Sequence, residues 1–159
     1  MHDPRGLIDF HERAHRNLER LVAHCAGLTQ EEADRSLAGF GYASVRLQLI
    51  HAIGAEAYWV GVLQGRVDAE DKDDLFPTVD SVAAWRRDVA AATRAYLDAV
   101  TEAELDASRV VTTWKGERRM APAHVILRVI THLYHHQGQV VAMCRLLGRP
   151  VSGVDFPLD

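Results

Sequence analysis

Apolar residues recur at helical spacing in four long stretches of the chain. The stretches cover residues 4–26, 44–63, 80–100 and 122–147, and in each of them apolar positions lie three or four residues apart. This spacing puts the apolar side chains on one side of an α-helix, where they can pack against other helices. The pattern therefore predicts an all-α fold, a four-helix bundle in which most of the connections are short.

Capping and helix-breaking residues mark the ends of these stretches. Asp3 and Pro4 are a cap followed by proline at the first helical position, and Gly27 ends the first helix. Thr29 and Glu32 have the spacing of a capping box, which predicts a short helical piece continuing to about Leu37. Asp80 or Ser81 is the expected cap of the third long helix, and residues 101–104 resemble another capped short turn.

The connection between the third and fourth long helices has a different character. Residues 110–114 are β-branched or aromatic, and residues 115–117 are turn-like. We expect a small hairpin or an extended crossover here, which makes this the long connection of the bundle. Residues 66–78 read as an acidic, solvated loop that includes Glu70 and Asp71, and the tail after Pro150 is expected to pack back over the bundle.

Length and charge narrow the function classes. A chain of 159 residues fits a single domain, residues 1–159, and its net charge of −4 comes without any basic block, which argues against nucleic acid as a partner. No apolar run approaches the roughly 18 residues that span a bilayer, and the first residues lack a signal-peptide layout, so we expect a cytoplasmic protein. Cys25 and Cys144 fall on apolar helix faces and are predicted to be core residues.

Two histidines lie one turn apart in the last predicted helix. His132 and His136 are four residues apart, so their imidazoles project from the same face and can reach one cation. The rest of that stripe is apolar: Val125, Val129, Val140, Met143 and Leu147. Burying two imidazoles without partners costs about 1 to 3 kcal/mol each, so something in the interior must satisfy them.

A third histidine lies in the second long helix. His51 occupies an apolar row with Leu47, Gly54, Tyr58 and Val62, which makes it the natural third metal ligand. The alternative is that these are core histidines held by hydrogen bonds, with no metal. The chain has nine histidines in all. Those of the first helix, His11, His15 and His24, read as ordinary surface or boundary residues, and His135 points away from the pair.

The segments that carry these histidines resemble the DinB/YfiT superfamily of metal-binding four-helix bundles. They are residues 51–59, HAIGAEAYW, and residues 132–139, HLYHHQGQ. The superfamily commonly shows His-x-x-x-His-Arg-Gly-Gln in the last helix, and here Gln137 stands where the arginine is expected. The resemblance implies a divalent metal ion, zinc or nickel, held by His51, His132 and His136. Gln48 and Gln139 lie one turn from these ligands and are candidate acceptors for their other ring N–H groups, because ligating imidazoles usually donate that N–H.

The resemblance also implies two classes of function. Three histidines leave a coordination position open for water or a thiolate, which is typical of catalytic metal sites. The first class is a metal-dependent enzyme, a thiol-dependent S-transferase or a hydrolase, whose partner is a small molecule such as a low-molecular-weight thiol. The second is a non-catalytic, metal-stabilised bundle that acts as a dimeric interaction module. A homodimer is expected from the family in either case, and the sequence identifies no catalytic acid or base.

Overall fold

Four long helices and a small hairpin make up the computed structural model, which describes residues 2–69 and 72–158. In chain order the elements are α1 (Pro4–Cys25), α2 (Gln30–Asp34), α3 (Val45–Leu63), α4 (Val79–Ala99), α5 (Glu102–Asp106), β1 (Arg109–Thr113), β2 (Gly116–Met120) and α6 (Pro122–Leu146). The predicted all-α bundle is confirmed. Glu70 and Asp71 of the predicted acidic loop lie outside the described residues.

The long helices pack in a ring. Helix α1 contacts α4 and α6, and helix α3 contacts the same two helices, so α1 and α3 lie diagonally across the bundle. Side chains from α1 and α3 can therefore meet only in the centre. None of the helices within the described ranges is long and apolar enough to cross a membrane.

Side-chain caps set most helix starts. The capping box of Thr29 and Glu32 is present, but α2 ends at Asp34 instead of continuing to Leu37. The predicted start of the third long helix, at an Asp80 or Ser81 cap, is two or three residues late. Thr78 is the actual cap, because its side chain accepts from the backbone N–H of Ser81 while the Ser81 hydroxyl accepts from the N–H of Thr78.

The crossover forms the small hairpin that the sequence predicts. Strands β1 and β2 are antiparallel, with Arg109 opposite Met120 and Thr113 opposite Gly116. Gly116 has a φ of +95°, a left-handed conformation that glycine adopts without strain. The backbone N–H of Trp114 donates to the Tyr58 hydroxyl of α3 at 2.9 Å. This bond holds the hairpin turn against the middle of the bundle.

The C-terminal tail packs back on the bundle, as expected. The Phe156 ring lies 4.8 Å from the Phe10 ring of α1, measured between centroids. Asn17 of α1 donates to the Val154 carbonyl, and Arg13 donates to the Pro157 carbonyl. The tail thus covers one side of α1.

The apolar core divides into two clusters along the bundle axis. One cluster takes Leu18 and Leu21 from α1 and Leu49 and Ile53 from α3. The other cluster takes residues nearer the opposite ends of the same helices: Leu7, Ile8, Ala14, Val60 and Leu63. Cys25 and Cys144 are buried in the first cluster as free thiols, with 3.8 Å between their Sγ atoms. Between the two clusters lies a layer of buried polar residues.

Glu56 of α3 is the centre of this polar layer. His11 Nε2 lies 2.7 Å from Glu56 Oε1, and His15 Nε2 lies 2.8 Å from Oε2. The Thr93 hydroxyl of α4 donates to Oε1 at 2.6 Å. The prediction that His11 and His15 are ordinary surface or boundary residues is therefore wrong. They are 2% and 5% exposed, because a carboxylate on another helix satisfies their ring nitrogens.

Charge explains why Glu56 can stay buried. Burial raises the pKa of this carboxyl. The nearby His15 and His11 lower the pKa by more than burial raises it, through charge and hydrogen bonds, so the pKa lies well below its ordinary value. Glu56 is therefore ionised at neutral pH and can only accept hydrogen bonds. Each imidazole then donates from Nε2 to one carboxylate oxygen. The layer connects α1, α3 and α4 through one side chain.

We expect Glu56→Gln to lower the free energy of unfolding by about 3 kcal/mol at pH 7, since an amide places an N–H against a donor in a buried site. A carboxyl whose pKa is lowered on folding contributes stability that is present above its unfolded pKa and is lost as pH falls. The difference between variant and wild type should therefore shrink below about pH 4.5, the ordinary value for this group. Urea unfolding at several pH values measures it.

Glu12→Gln is the matched control. Glu12 lies on α1, is exposed and, among the described residues, pairs with Arg94 of α4 alone, so the loss of its charge should cost under about 1 kcal/mol at every pH. Equal costs for the two variants, or a Glu56→Gln cost that does not depend on pH, would show that the polar layer does not stabilise the bundle as described.

Candidate metal centre

Helices α3 and α6 bring the three predicted histidines together. His51 lies in the middle of α3, and His132 and His136 lie one turn apart on α6. The His51 ring centroid is 5.2 Å from that of His132 and 4.6 Å from that of His136. One ring nitrogen from each residue lies within 4.8 Å of the others, so the three form a group that could hold a metal ion.

The group lies at the wall of a cavity of about 550 Å³. His51 and His132 line this cavity and are half-buried, whereas His136 lies behind them and is only 5% exposed. Tyr42, in the loop before α3, stacks on His51 with 3.8 Å between ring centroids and 19° between planes. Stacking of this kind fixes the orientation of the His51 ring. Tyr42 was not predicted, because a lone loop tyrosine gives no periodic signal.

The three imidazoles are neutral at pH 7. Burial lowers the pKa of His132 to about 4, with further lowering by His51 and Arg128. Burial likewise lowers the pKa of His136 to about 3, helped by His132 and His51. The pKa of His51 is lowered by burial and by His135. Neutral imidazole is the form that binds metal, so the group needs no proton loss to become a ligand set.

The geometry and chemistry of the group fit a divalent ion. The Nε2 atoms of His132 and His136 are 3.1 Å apart, close to the roughly 3.3 Å that separates two nitrogens bound to a tetrahedral zinc ion. Imidazole is a ligand suited to zinc and nickel alike. No fourth histidine, cysteine or carboxylate joins the group within residues 2–69 and 72–158. Three ligands leave a coordination position open.

Neighbouring polar residues do not bond the ligand imidazoles. Gln48 donates to the Gln139 side-chain oxygen, and Gln139 in turn lies 2.7 Å from His135 Nε2. The predicted hydrogen bonds from Gln48 and Gln139 to the ligands are therefore wrong, because the two amides bond each other across α3 and α6. The Nδ1 atoms of His132 and His136 have no partner in the described part of the chain. His135 is exposed and does not join the group, as its position on the helix predicts.

The row of α3 that contains His51 differs from its prediction. Leu47, Gly54 and Tyr58 are half-buried, and the fully buried face of α3 carries Leu49, Ile53 and Glu56 instead. Gly54 and Tyr58 line the cavity. An apolar row can line a cavity as well as a core, and sequence periodicity does not distinguish the two.

His11, His15 and Glu56 are a second group whose spacing could hold a metal ion. Here each histidine Nε2 lies within hydrogen-bond distance of a different oxygen of Glu56, at 2.7 and 2.8 Å. The Thr93 hydroxyl gives the carboxylate a third hydrogen bond, so a cation here would have to displace three hydrogen bonds, against the single 3.1 Å contact between His132 and His136 in the first group. We therefore interpret this group as a hydrogen-bonded layer, and the group on α3 and α6 is the candidate metal site.

The family model for the DinB family matches residues 4–159. The chain belongs to the DinB family. Among solved structures, a DinB-like protein from Bacillus cereus matches with a TM-score of 0.76 and 21% sequence identity, covering 95% of this chain and 97% of that one. A conserved protein from Enterococcus faecalis matches with a TM-score of 0.69 and 18% identity, over 92% and 98% of the two chains. At these identities the likeness shows the fold alone. No match was found among curated proteins.

We expect protein of this DinB family member, purified without a histidine tag and dialysed against zinc, to carry about one metal ion per chain by elemental mass spectrometry. His132→Ala should weaken zinc binding by more than about 100-fold. Mutation of a residue that only hydrogen-bonds a metal ligand typically weakens metal binding by about 10- to 100-fold. A metal ion at 100 times its dissociation constant adds about 2.7 kcal/mol to stability. For a chain of this size we expect a rise in melting temperature of about 5–10 °C on adding zinc.

His135→Ala is the matched control, since His135 adjoins His136 in sequence but lies outside the group. It should bind metal and gain thermal stability as the wild type does. Equal metal loss in the two variants would contradict the assignment of ligands. Absence of metal in the wild type after zinc addition would favour the alternative of hydrogen-bonded core histidines.

Proposed function

We propose that this protein is a metal-dependent enzyme that acts on a small molecule, with zinc or nickel held by His51, His132 and His136. One observation carries the proposal. His51 and His132, two of the three neutral imidazoles, line a cavity of about 550 Å³ with His136 behind them, and no fourth ligand joins the group in the described ranges. An open metal position facing a cavity suits catalysis, whereas structural zinc sites are closed by a fourth ligand.

The reaction class we propose is thiol-dependent S-transfer or hydrolysis. A bound divalent metal supplies a Lewis acid that lowers the pKa of a water or a thiol beside it. The chain's own part is to orient the ligands and to form the wall of the cavity. Tyr42 holds the His51 ring, and Trp114 of the hairpin turn, whose backbone is bonded to Tyr58, lines the cavity. Glu56, the acidic residue of α3, is bonded within the polar layer and does not serve as a base.

Because Glu56 does not serve as a base, we favour a reaction in which one of the substrates supplies the nucleophile. Glu56 is committed to α1 and α4, and in the described part of the chain no carboxylate joins the three histidines, although Asp68 and Asp73 line the same cavity. A low-molecular-weight thiol supplies its own nucleophile once deprotonated, so it needs less from the protein than water activation does. We therefore place S-transfer ahead of hydrolysis.

The second candidate is a metal-stabilised bundle that acts as an interaction module. A structural metal of this kind usually has four protein ligands, which leave no position for water or a substrate. The three-histidine group therefore supports this candidate less well. The homodimer, the cytoplasmic location and the small-molecule partner remain predictions from sequence.

We expect the cobalt-substituted protein to change its visible absorption spectrum on titration with 2-mercaptoethanol, since the spectrum reports the atoms bound to the metal. Ethylene glycol is the matched probe, because it has an oxygen in place of the sulfur, and it should leave the spectrum nearly unchanged. Cys25 and Cys144 are buried, so reaction of the chain's own thiols does not imitate the effect.

A saturable change with the thiol alone supports an open position with a preference for sulfur. A spectrum that responds to neither probe would contradict S-transfer and favour hydrolysis or the closed, structural site. In that case sedimentation of the metal-loaded and metal-free forms would show whether the metal controls dimer formation.

A further inference from the structure

All three tryptophans of the chain line the cavity beside the histidines. Trp59 comes from α3, Trp85 from α4 and Trp114 from the hairpin turn. Tyr42 and Tyr58 add two further aromatic side chains to the wall. The volume of about 550 Å³ lies within the range of about 300–1,000 Å³ for small-molecule sites, which are mostly apolar and aromatic. This wall suits a flat apolar molecule.

The aromatic wall is held in place by packing. The Phe76 ring stacks on Trp85, with 4.2 Å between centroids and 12° between planes. A side chain at Gly54 would begin 3.3 Å from the Trp85 ring, so glycine gives this ring its room. Trp114 is 64% exposed, although its backbone is bonded to Tyr58. An exposed indole at the edge of a cavity has surface to bury when a ligand binds.

Arg128 is the cation closest in sequence to the metal ligands. It precedes His132 by one turn of α6 and lines the same cavity. Its guanidinium carbon lies 5.5 Å from the centroid of the Trp59 ring, a distance at which a cation is attracted to an indole face. No carboxylate within the described ranges pairs with it. The guanidinium thus lies over the Trp59 ring and keeps its N–H groups for a ligand.

The other charged side chains of the cavity are arranged differently. Lys72 pairs with Asp68 at 2.8 Å, which leaves that pair close to neutral, and Asp73 also lines the wall. A metal ion on the three histidines would add positive charge one turn from Arg128. An anion between the two would remove this repulsion and accept a paired hydrogen bond from the guanidinium.

We propose that the cavity binds an aromatic or similarly flat molecule that carries a carboxylate, with the indole rings contacting the flat part and Arg128 binding the carboxylate. Arg128 is then a specificity-determining residue. Calling this molecule a substrate rests on the proposed function, but its binding does not require the metal. The metal-free protein therefore tests this inference separately.

The probes are 1-naphthylacetate and its neutral amide, titrated into metal-free protein by isothermal calorimetry at pH 7.5. We expect the wild type to bind the carboxylate about fivefold more tightly than the amide, a modest ratio because Arg128 is exposed and water screens its charge. Arg128→Gln should abolish this preference and leave the affinity for the amide unchanged. Trp59→Leu should weaken both probes, since it removes part of the wall and the support of the guanidinium.

Arg145→Gln is the matched control, because Arg145 is an exposed arginine of the same helix that does not line the cavity. It should keep the fivefold preference. Equal binding of the two probes by the wild type, a preference that survives in Arg128→Gln, or no binding of either probe would overturn the proposal. If zinc fails to bind while the preference for the carboxylate holds, the proposed function fails and this inference stands.

Discussion

The buried carboxylate of Glu56 constrains the arrangement of the bundle. An ionised side chain in an apolar interior is costly unless hydrogen bonds compensate its lost hydration. Here His11 and His15 come from α1 and Thr93 from α4, so two helices must hold fixed positions around α3. Apolar contacts in the clusters on either side are non-directional, so they tolerate small rotations of a helix. The polar layer does not, and it therefore fixes how far α3 is rotated about its own axis.

That rotation determines where the candidate metal centre lies. His51 and Glu56 are five positions apart on α3, so their side chains point well away from each other around the helix. With Glu56 directed to the centre of the bundle, His51 faces the groove between α3 and α6, where His132 and His136 lie. The same constraint turns Gly54 and Tyr58 toward the cavity. The polar layer and the metal group are thus two consequences of a single helix orientation.

The sequence predicted local features well and distant pairings poorly. Helical spacing, caps and the four-residue interval of His132 and His136 are local, and they were sufficient for the bundle and for this pair. His51 lies on another helix, and its place beside the pair was predicted from an apolar row of α3 and from the family resemblance. The role of His11 was not predictable in the same way, because its partner Glu56 is 45 positions away on another helix. The cavity was also missed. Aromatic residues from α3, α4 and the hairpin meet there, and on each element they read as ordinary packing residues.

The replacement of the family's arginine by Gln137 has a structural consequence that sequence alone left open. Gln137 is 3% exposed and accepts a hydrogen bond from Asn17 of α1 at 2.9 Å, so this position faces the interior and not the cavity. A guanidinium there would need a buried acceptor of negative charge, and the neutral amide pair removes that need. The substitution therefore leaves the three histidines unaffected. It also means that positive charge on the cavity side of α6 comes from Arg128, one turn before the first ligand, and not from the position after the last.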